Sequence, residues 1–137
     1  MTEVLKTNNM DTQKNYDWSD KVILIAEDVE TSNRYYKAAL SRTNAKLLWA
    51  KNGKEAFDLV DKNKKIDIIL MDLHMPELNG FKATRKIKDL KRDIPIIVQT
   101  AYILAGEEEM CYEAGCDEFL AKPVKFNTLL TTIKKYF

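Results

Sequence analysis

Long apolar runs are missing from this 137-residue chain. None approaches the roughly 20 consecutive apolar residues that a membrane-crossing helix needs, so no membrane insertion is expected. The opening MTEVLKTNNM lacks the apolar stretch of a secretory signal, which makes the expected location cytoplasmic. An excess of charge is missing too: 22 Lys and Arg against 21 Asp and Glu leave a formal +1. No net field draws the chain to nucleic acid or to an anionic surface, and direct nucleic-acid binding is not expected. Cysteine is confined to Cys111 and Cys116, in a predicted helix-to-strand region. Two thiols make no disulfide framework in a chain able to build a core, and no second Cys/His cluster offers a zinc site. They read as reduced, partly buried side chains. Internal repeats and low-complexity tracts are absent as well.

What is present is a polar start followed by alternation. Residues 1–20 are rich in Asn, Thr, Lys and Asp without sustained periodicity and read as a tail or linker. Tyr16 and Trp18 stand out there; they read as incidental to the tail, with docking on the domain as the alternative. Residues 21–137 suffice for one domain with a full core. Strands are predicted at Val22–Ala26, Lys46–Ala50, Asp67–Met71, Ile94–Gln99 and Glu118–Ala121. The first, third and fourth are nearly continuous in Ile, Leu and Val, the composition of strands covered on both faces. Helices are predicted near 30–43, 54–63, 80–91, 104–114 and 125–136. Tyr36, Ala39 and Leu40 line one side of the first, and Phe126, Leu129, Leu130 and Ile133 one side of the last.

Punctuation supports that division. Asn52-Gly53 and Asn79-Gly80 open the second and third helices, Pro95 opens a strand, and Gly115 sits where a helix C-cap would. Five βα units with right-handed crossovers give an α/β fold with a five-stranded parallel sheet, doubly wound in the flavodoxin-like order 2-1-3-4-5.

In such sheets ligands bind beyond the carboxyl ends of the strands, at the switch in strand order. For this order the switch lies between strands one and three, which carry Glu27-Asp28 and Asp72. Three clustered carboxylates repel one another and suit a hard divalent cation with oxygen ligands, Mg²⁺ in the first instance. Asp72 is the candidate nucleophile, since a carboxylate can attack phosphorus to give an acyl phosphate. Lys122 would supply a mobile positive charge for the transferred group, and Thr100 a hydroxyl for one of its oxygens. Taken alone, Lys122 reads as a surface lysine and Thr100 as a strand-end residue; their appearance together gives them weight.

The segments ILIAED, MDLHMPELNG, VQTA and FLAKP resemble, in that order, the receiver domain of two-component response regulators. The resemblance spans roughly 21–137. Asp72 follows Asp28 by 44 positions, Thr100 follows Asp72 by 28, and Lys122 follows Thr100 by 22, spacings typical of receivers. The resemblance implies that Asp72 is the phosphoacceptor and that Mg²⁺ or Mn²⁺ is held by Asp28, Asp72 and the backbone carbonyl of His74. Glu27 would reach the ion through bound water. It further implies Thr100 as the switch hydroxyl, Phe119 as the aromatic that turns with it, and Lys122 as the phosphate-binding lysine before a cis bond to Pro123. The implied partner is a sensor histidine kinase or a histidine phosphotransfer domain. The implied response is a change of the 102–136 surface toward an unidentified effector. Tyr102 is assigned equally to gating the crevice and to contacting that partner.

Two positions depart from the family pattern. The acidic pair is Glu-Asp where Asp-Asp is commoner. His74 stands two residues past the nucleophile, where its ring borders the path of attacking water and reads as steric. A phosphatase of the haloacid-dehalogenase type uses similar groups, but there the nucleophile comes first and the acidic pair last. A receiver kept only for docking would not need every phosphorylation position filled. The end at Phe137, just past the fifth helix, leads us to expect a stand-alone regulator or the receiver of a hybrid kinase.

Overall fold

Strands that are nearly continuous in Ile, Leu and Val occupy the middle of the sheet, where helices cover both faces. The computed structural model describes residues 16–137. Its strands are β1 (Val22–Ala26), β2 (Lys46–Ala50), β3 (Ile68–Asp72), β4 (Ile96–Thr100) and β5 (Glu118–Ala121). Its helices are α1 (Glu30–Leu40), α2 (Gly53–Lys62), α3 (Gly80–Asp89), α4 (Glu107–Ala114) and α5 (Phe126–Lys134). All strands pair in parallel in the order β2-β1-β3-β4-β5, as predicted. Every residue of β1, β3 and β4 is buried, whereas the edge strands β2 and β5 are partly exposed.

Successive strand residues point to opposite faces, and the core divides accordingly. Leu24, Ile69, Met71 and Val98 pack with Val60, Ala83, Ile87 and Cys111 under α2, α3 and α4. Ile23, Ile25, Leu70 and Ile97 pack with Tyr36, Leu40, Leu129 and Ile133 under α1 and α5.

Asparagine caps fix where two helices begin. Asn52 accepts from the Glu55 amide at 2.8 Å and Asn79 from the Lys82 amide at 2.9 Å, each satisfying one of the donors a helix start leaves free. At the other end of α4, Gly115 adopts φ 113° and its amide donates to Cys111 and Tyr112. That left-handed conformation is the glycine C-cap expected there.

Some boundaries differ from the sequence reading. β3 begins at Ile68 and runs through Asp72, because the Asp67 carboxylate turns aside to accept from the Val22 amide at 2.7 Å. β4 begins at Ile96, just past Pro95, and its last residue is Thr100. α4 begins at Glu107, three residues late, since Gly106 takes φ 82° and the Glu107 carboxylate accepts from the Leu104 amide at 3.1 Å.

The predicted tail also needs correction. Its residues 1–15 lie outside the described residues, but Trp18 is 6% exposed and belongs to the core under α1 and α5. Its ring stacks on Tyr16 at 4.9 Å and meets Phe137 edge-on at 4.9 Å, and its amide donates to the Thr43 carbonyl. Trp18 is therefore docked, and the apolar area it buries outweighs the order imposed on the chain around it. Among the described residues, no helix is long and apolar enough to cross a membrane.

Candidate functional site

Two neighbouring strands end in acids. β1 runs out into Glu27 and Asp28, and β3, paired beside it, ends on Asp72. The pairing brings the three carboxylates together: one oxygen from each lies within 4.8 Å of the others. Asp28 is exposed, while Glu27 and Asp72 are buried. The β3 end can lie this deep because Gly80 opens α3 against it. A Cβ there would stand 2.1 Å from the Asp72 carbonyl oxygen, so only glycine fits without a shift. The Gly80 amide in turn donates to the Leu73 carbonyl at 2.9 Å.

The opposing charge comes from beyond β5. Lys122 Nζ lies 3.3 Å from Asp72 and forms a close ion pair with Glu27. Its side chain is 16% exposed, so it is not the surface lysine that the residue alone suggests. The Lys122 amide donates to the Thr100 carbonyl at 2.8 Å, and the Lys122–Pro123 peptide is cis. The Tyr35 hydroxyl donates to the Val124 carbonyl, tying α1 to this loop.

Burial and then the Glu27 carboxylate push Asp72 up to about 6, against the pull of Lys122 in the other direction. Both Glu27 oxygens have protein partners, Lys122 on one and the Val29 amide at 3.1 Å on the other. Three clustered carboxylates thus have one ammonium among them, which pairs with Glu27 and Asp72. The remaining negative charge, carried entirely on oxygen donors, fits a hard divalent cation. Asp28, Asp72 and Glu27 are the residues that would hold one.

The other predicted residues take distinct places. Thr100 is fully buried; its hydroxyl donates to the Tyr102 carbonyl at 2.8 Å and accepts from the Tyr102 amide at 3.1 Å. Phe119 is half-buried on the core face beside Val98. Tyr102 is 70% exposed, with its ring 6.4 Å from that of His74. His74 Nε2 lies 3.6 Å from the Glu107 carboxylate. Cys111 and Cys116 are free and buried, and burial pushes their thiols up to about 11 and about 12. They are inert in this setting.

One polar pair escaped the sequence reading. The Tyr36 hydroxyl, buried under the crevice, donates to the side-chain carbonyl of Gln99. Burial, then Glu27 and Asp72, holds Tyr36 far above the usual range, so it stays a neutral donor. The signal was a lone amide in the apolar run PIIVQ, which needs a buried partner.

The profile of the response regulator receiver domain family matches residues 23–134. The chain belongs to that family. A polar-differentiation response regulator, DivK of Brucella anthropi, is 33% identical over 118 residues, covering 85% of this chain and 95% of that protein. The receiver domain of the sensor histidine kinase PA1611 of Pseudomonas aeruginosa, solved with magnesium in its active site cleft, is similar in structure. The TM-score is 0.77 at 32% identity, over 85% of this chain and 96% of that one. The receiver domain of Ssk1 of Saccharomyces cerevisiae, solved with the histidine phosphotransfer protein Ypd1, gives 0.77 at 26% identity. That match covers 85% of this chain and 88% of the other. As a receiver, the chain is a two-component signalling domain rather than a classical enzyme, and the haloacid-dehalogenase reading is not favoured.

Proposed function

We propose that Asp72 of this receiver takes a phosphoryl group from the phosphohistidine of a sensor histidine kinase or a histidine phosphotransfer domain. The observation that carries this reading is the meeting of Glu27, Asp28 and Asp72 within 4.8 Å, with Lys122 Nζ 3.3 Å from Asp72. An Asp72 oxygen attacks phosphorus as the phosphorus–nitrogen bond breaks. The imidazole leaves with the electron pair and ends as neutral histidine, and Asp72 becomes an acyl phosphate. Asp28, Asp72 and the His74 backbone carbonyl would hold Mg²⁺ or Mn²⁺, with Glu27 reaching it through water. When bound, the ion would neutralise the crowded carboxylates and the charge on the transferring oxygens. Magnesium in the PA1611 cleft and the Ypd1–Ssk1 complex support this choice of ion and partner.

The remaining residues convert the chemistry into a signal. Lys122 turns from Glu27 toward a phosphoryl oxygen. The Thr100 hydroxyl leaves the Tyr102 backbone for another, and Phe119 moves inward into the space released. The phosphoryl group, close to two negative charges, biases this two-state element and with it the 102–136 surface. Hydrolysis of the acyl phosphate resets the domain, with the His74 ring acting sterically on water. The whole cycle is assigned to the cytoplasm.

Incubation with phosphoramidate and Mg²⁺, followed by intact mass, tests the reading. One phosphoryl group is expected on the wild type and none on Asp72→Asn or in excess chelator. Equal labelling of Asp72→Asn contradicts it.

A further inference from the structure

Between Ala101 and Ala121 the chain carries no lysine or arginine, but six acids: Glu107, Glu108, Glu109, Glu113, Asp117 and Glu118. The same stretch holds most of the exposed large apolar side chains among the described residues. These are Tyr102, Ile103, Leu104, Met110 and Tyr112. Ile103, Leu104 and Tyr112, with Ala105 and Gly106, line a groove of about 470 Å³ bordered by Glu108 and Glu109. Three of the acids already have partners. Glu107 accepts from the Leu104 amide, Asp117 pairs with Lys88, and Glu118 with Lys135 and Tyr136. Glu108, Glu109 and Glu113 enter no ion pair among the described residues.

An apolar patch this concentrated, rimmed by polar groups, marks an interaction site. Its one-signed rim selects the charge of what binds. We propose that the groove receives an amphipathic helix of a partner protein, its apolar side chains seated between Leu104 and Tyr112 and its lysines or arginines over Glu108, Glu109 and Glu113. The groove lies within the 102–136 surface assigned above, so the inference rests on that reading for its place and adds the chemistry of the partner.

Other occupants fit less well. A two-fold pair of copies sets the same patch against itself, bringing the unpaired acids of both molecules together. Residues 1–15 carry Glu3 and Asp11 against Lys6 and Lys14, and so bring no net positive charge. Nucleic acid and anionic membrane are repelled outright. Regulation comes through Thr100, whose hydroxyl holds the Tyr102 backbone beside the groove. Loss of those two bonds on phosphorylation frees the 102–104 segment to reshape the binding surface.

The probe is a synthetic amphipathic helix with leucines on one face and lysines flanking them, titrated into the full isotope-labelled chain. A counterpart with glutamates in place of the lysines is the control. Both are followed by amide NMR before and after phosphoramidate, with intact mass recorded on each sample. The lysine peptide is expected to shift amides of residues 102–113. Its affinity should fall about tenfold or more in the Glu108→Lys/Glu109→Lys variant, and again in high salt. Ile103→Ser/Leu104→Ser, also at exposed positions, should weaken binding without altering thermal unfolding. Equal binding of the glutamate peptide overturns the proposal, as do shifts elsewhere or no binding in either phosphorylation state. Self-association of the chain that Glu108→Lys/Glu109→Lys removes would also overturn it, giving the groove to a second copy. Groove-mapped binding without a mass gain would sink the phosphoacceptor reading alone; a mass gain without groove binding would sink only the groove.

Discussion

Asp72→Asn should stabilise the metal-free protein at neutral pH, although it removes the group on which the proposed chemistry depends. Burial, followed by the Glu27 carboxylate, raises Asp72 from 3.8 to about 6. The folded protein therefore holds this proton more tightly than the unfolded chain does. The resulting stabilisation is complete below about pH 4 and is lost as pH rises through about 6. Each pH unit between those values is worth about 1.4 kcal/mol, so an ionised Asp72 costs the metal-free fold about 3 kcal/mol near pH 7.5. Asn is close in shape and carries no charge, and Lys122 keeps its pairing with Glu27 in the variant. In chelator, the variant should exceed wild type by about 3 kcal/mol near pH 7.5 and match it near pH 4. Urea unfolding followed by the fluorescence of buried Trp18 gives both values. Added Mg²⁺ should stabilise wild type increasingly above pH 6 and the variant little. A variant no more stable than wild type at neutral pH, or an advantage that does not change with pH, would show that the fold does not hold the Asp72 proton.

Lys122→Ala leaves Glu27 and Asp72 without the ammonium they share and should cost about 3 kcal/mol at neutral pH, less near pH 4; urea unfolding at both values checks this. Gly80→Ala forces a Cβ toward the Asp72 carbonyl at 2.1 Å. It should lower stability by about 2 kcal/mol and slow phosphorylation, measured by thermal unfolding and by mass against time. Trp18→Ala should cost about 3 kcal/mol for a large buried ring, whereas Trp49→Ala, on the exposed side of an edge strand, should change thermal stability by less than about 0.5 kcal/mol.

Periodicity and punctuation carried most of the fold because local chemistry and burial agree along most of the chain. VILIA is both a strong strand former and buried on both faces, and Asn52 and Asn79 cap the helices they precede. Legibility failed where a side chain acts on distant backbone. Asp67 leaves β3 to satisfy Val22, 45 positions away, and no window of sequence contains both. Trp18 looked incidental because its contacts come from Thr43 and Phe137, far along the chain.

The candidate site was legible in its residues and less so in its pairing. Acids at the ends of β1 and β3 must meet once the strand order is known. The closeness of Lys122 to Glu27 is different, because it depends on how a long side chain folds back from beyond β5. Read alone, a lysine before proline suggests exposure; facing two buried carboxylates, it is drawn inward. The Tyr36–Gln99 pair was hidden in the same way, with only the buried amide to hint at it.

Every step proposed for the signal depends on Asp72 carrying the phosphoryl group. The most direct measurement is to phosphorylate the chain from a phosphorylated histidine phosphotransfer domain, trap the acyl phosphate with borohydride, and locate the reduced residue by peptide mass spectrometry. Reduction is expected at Asp72 alone, abolished when chelator is present during transfer. A trapped group at Asp28 or Glu27, or a phosphate that survives borohydride on His74 or Thr100, would contradict it.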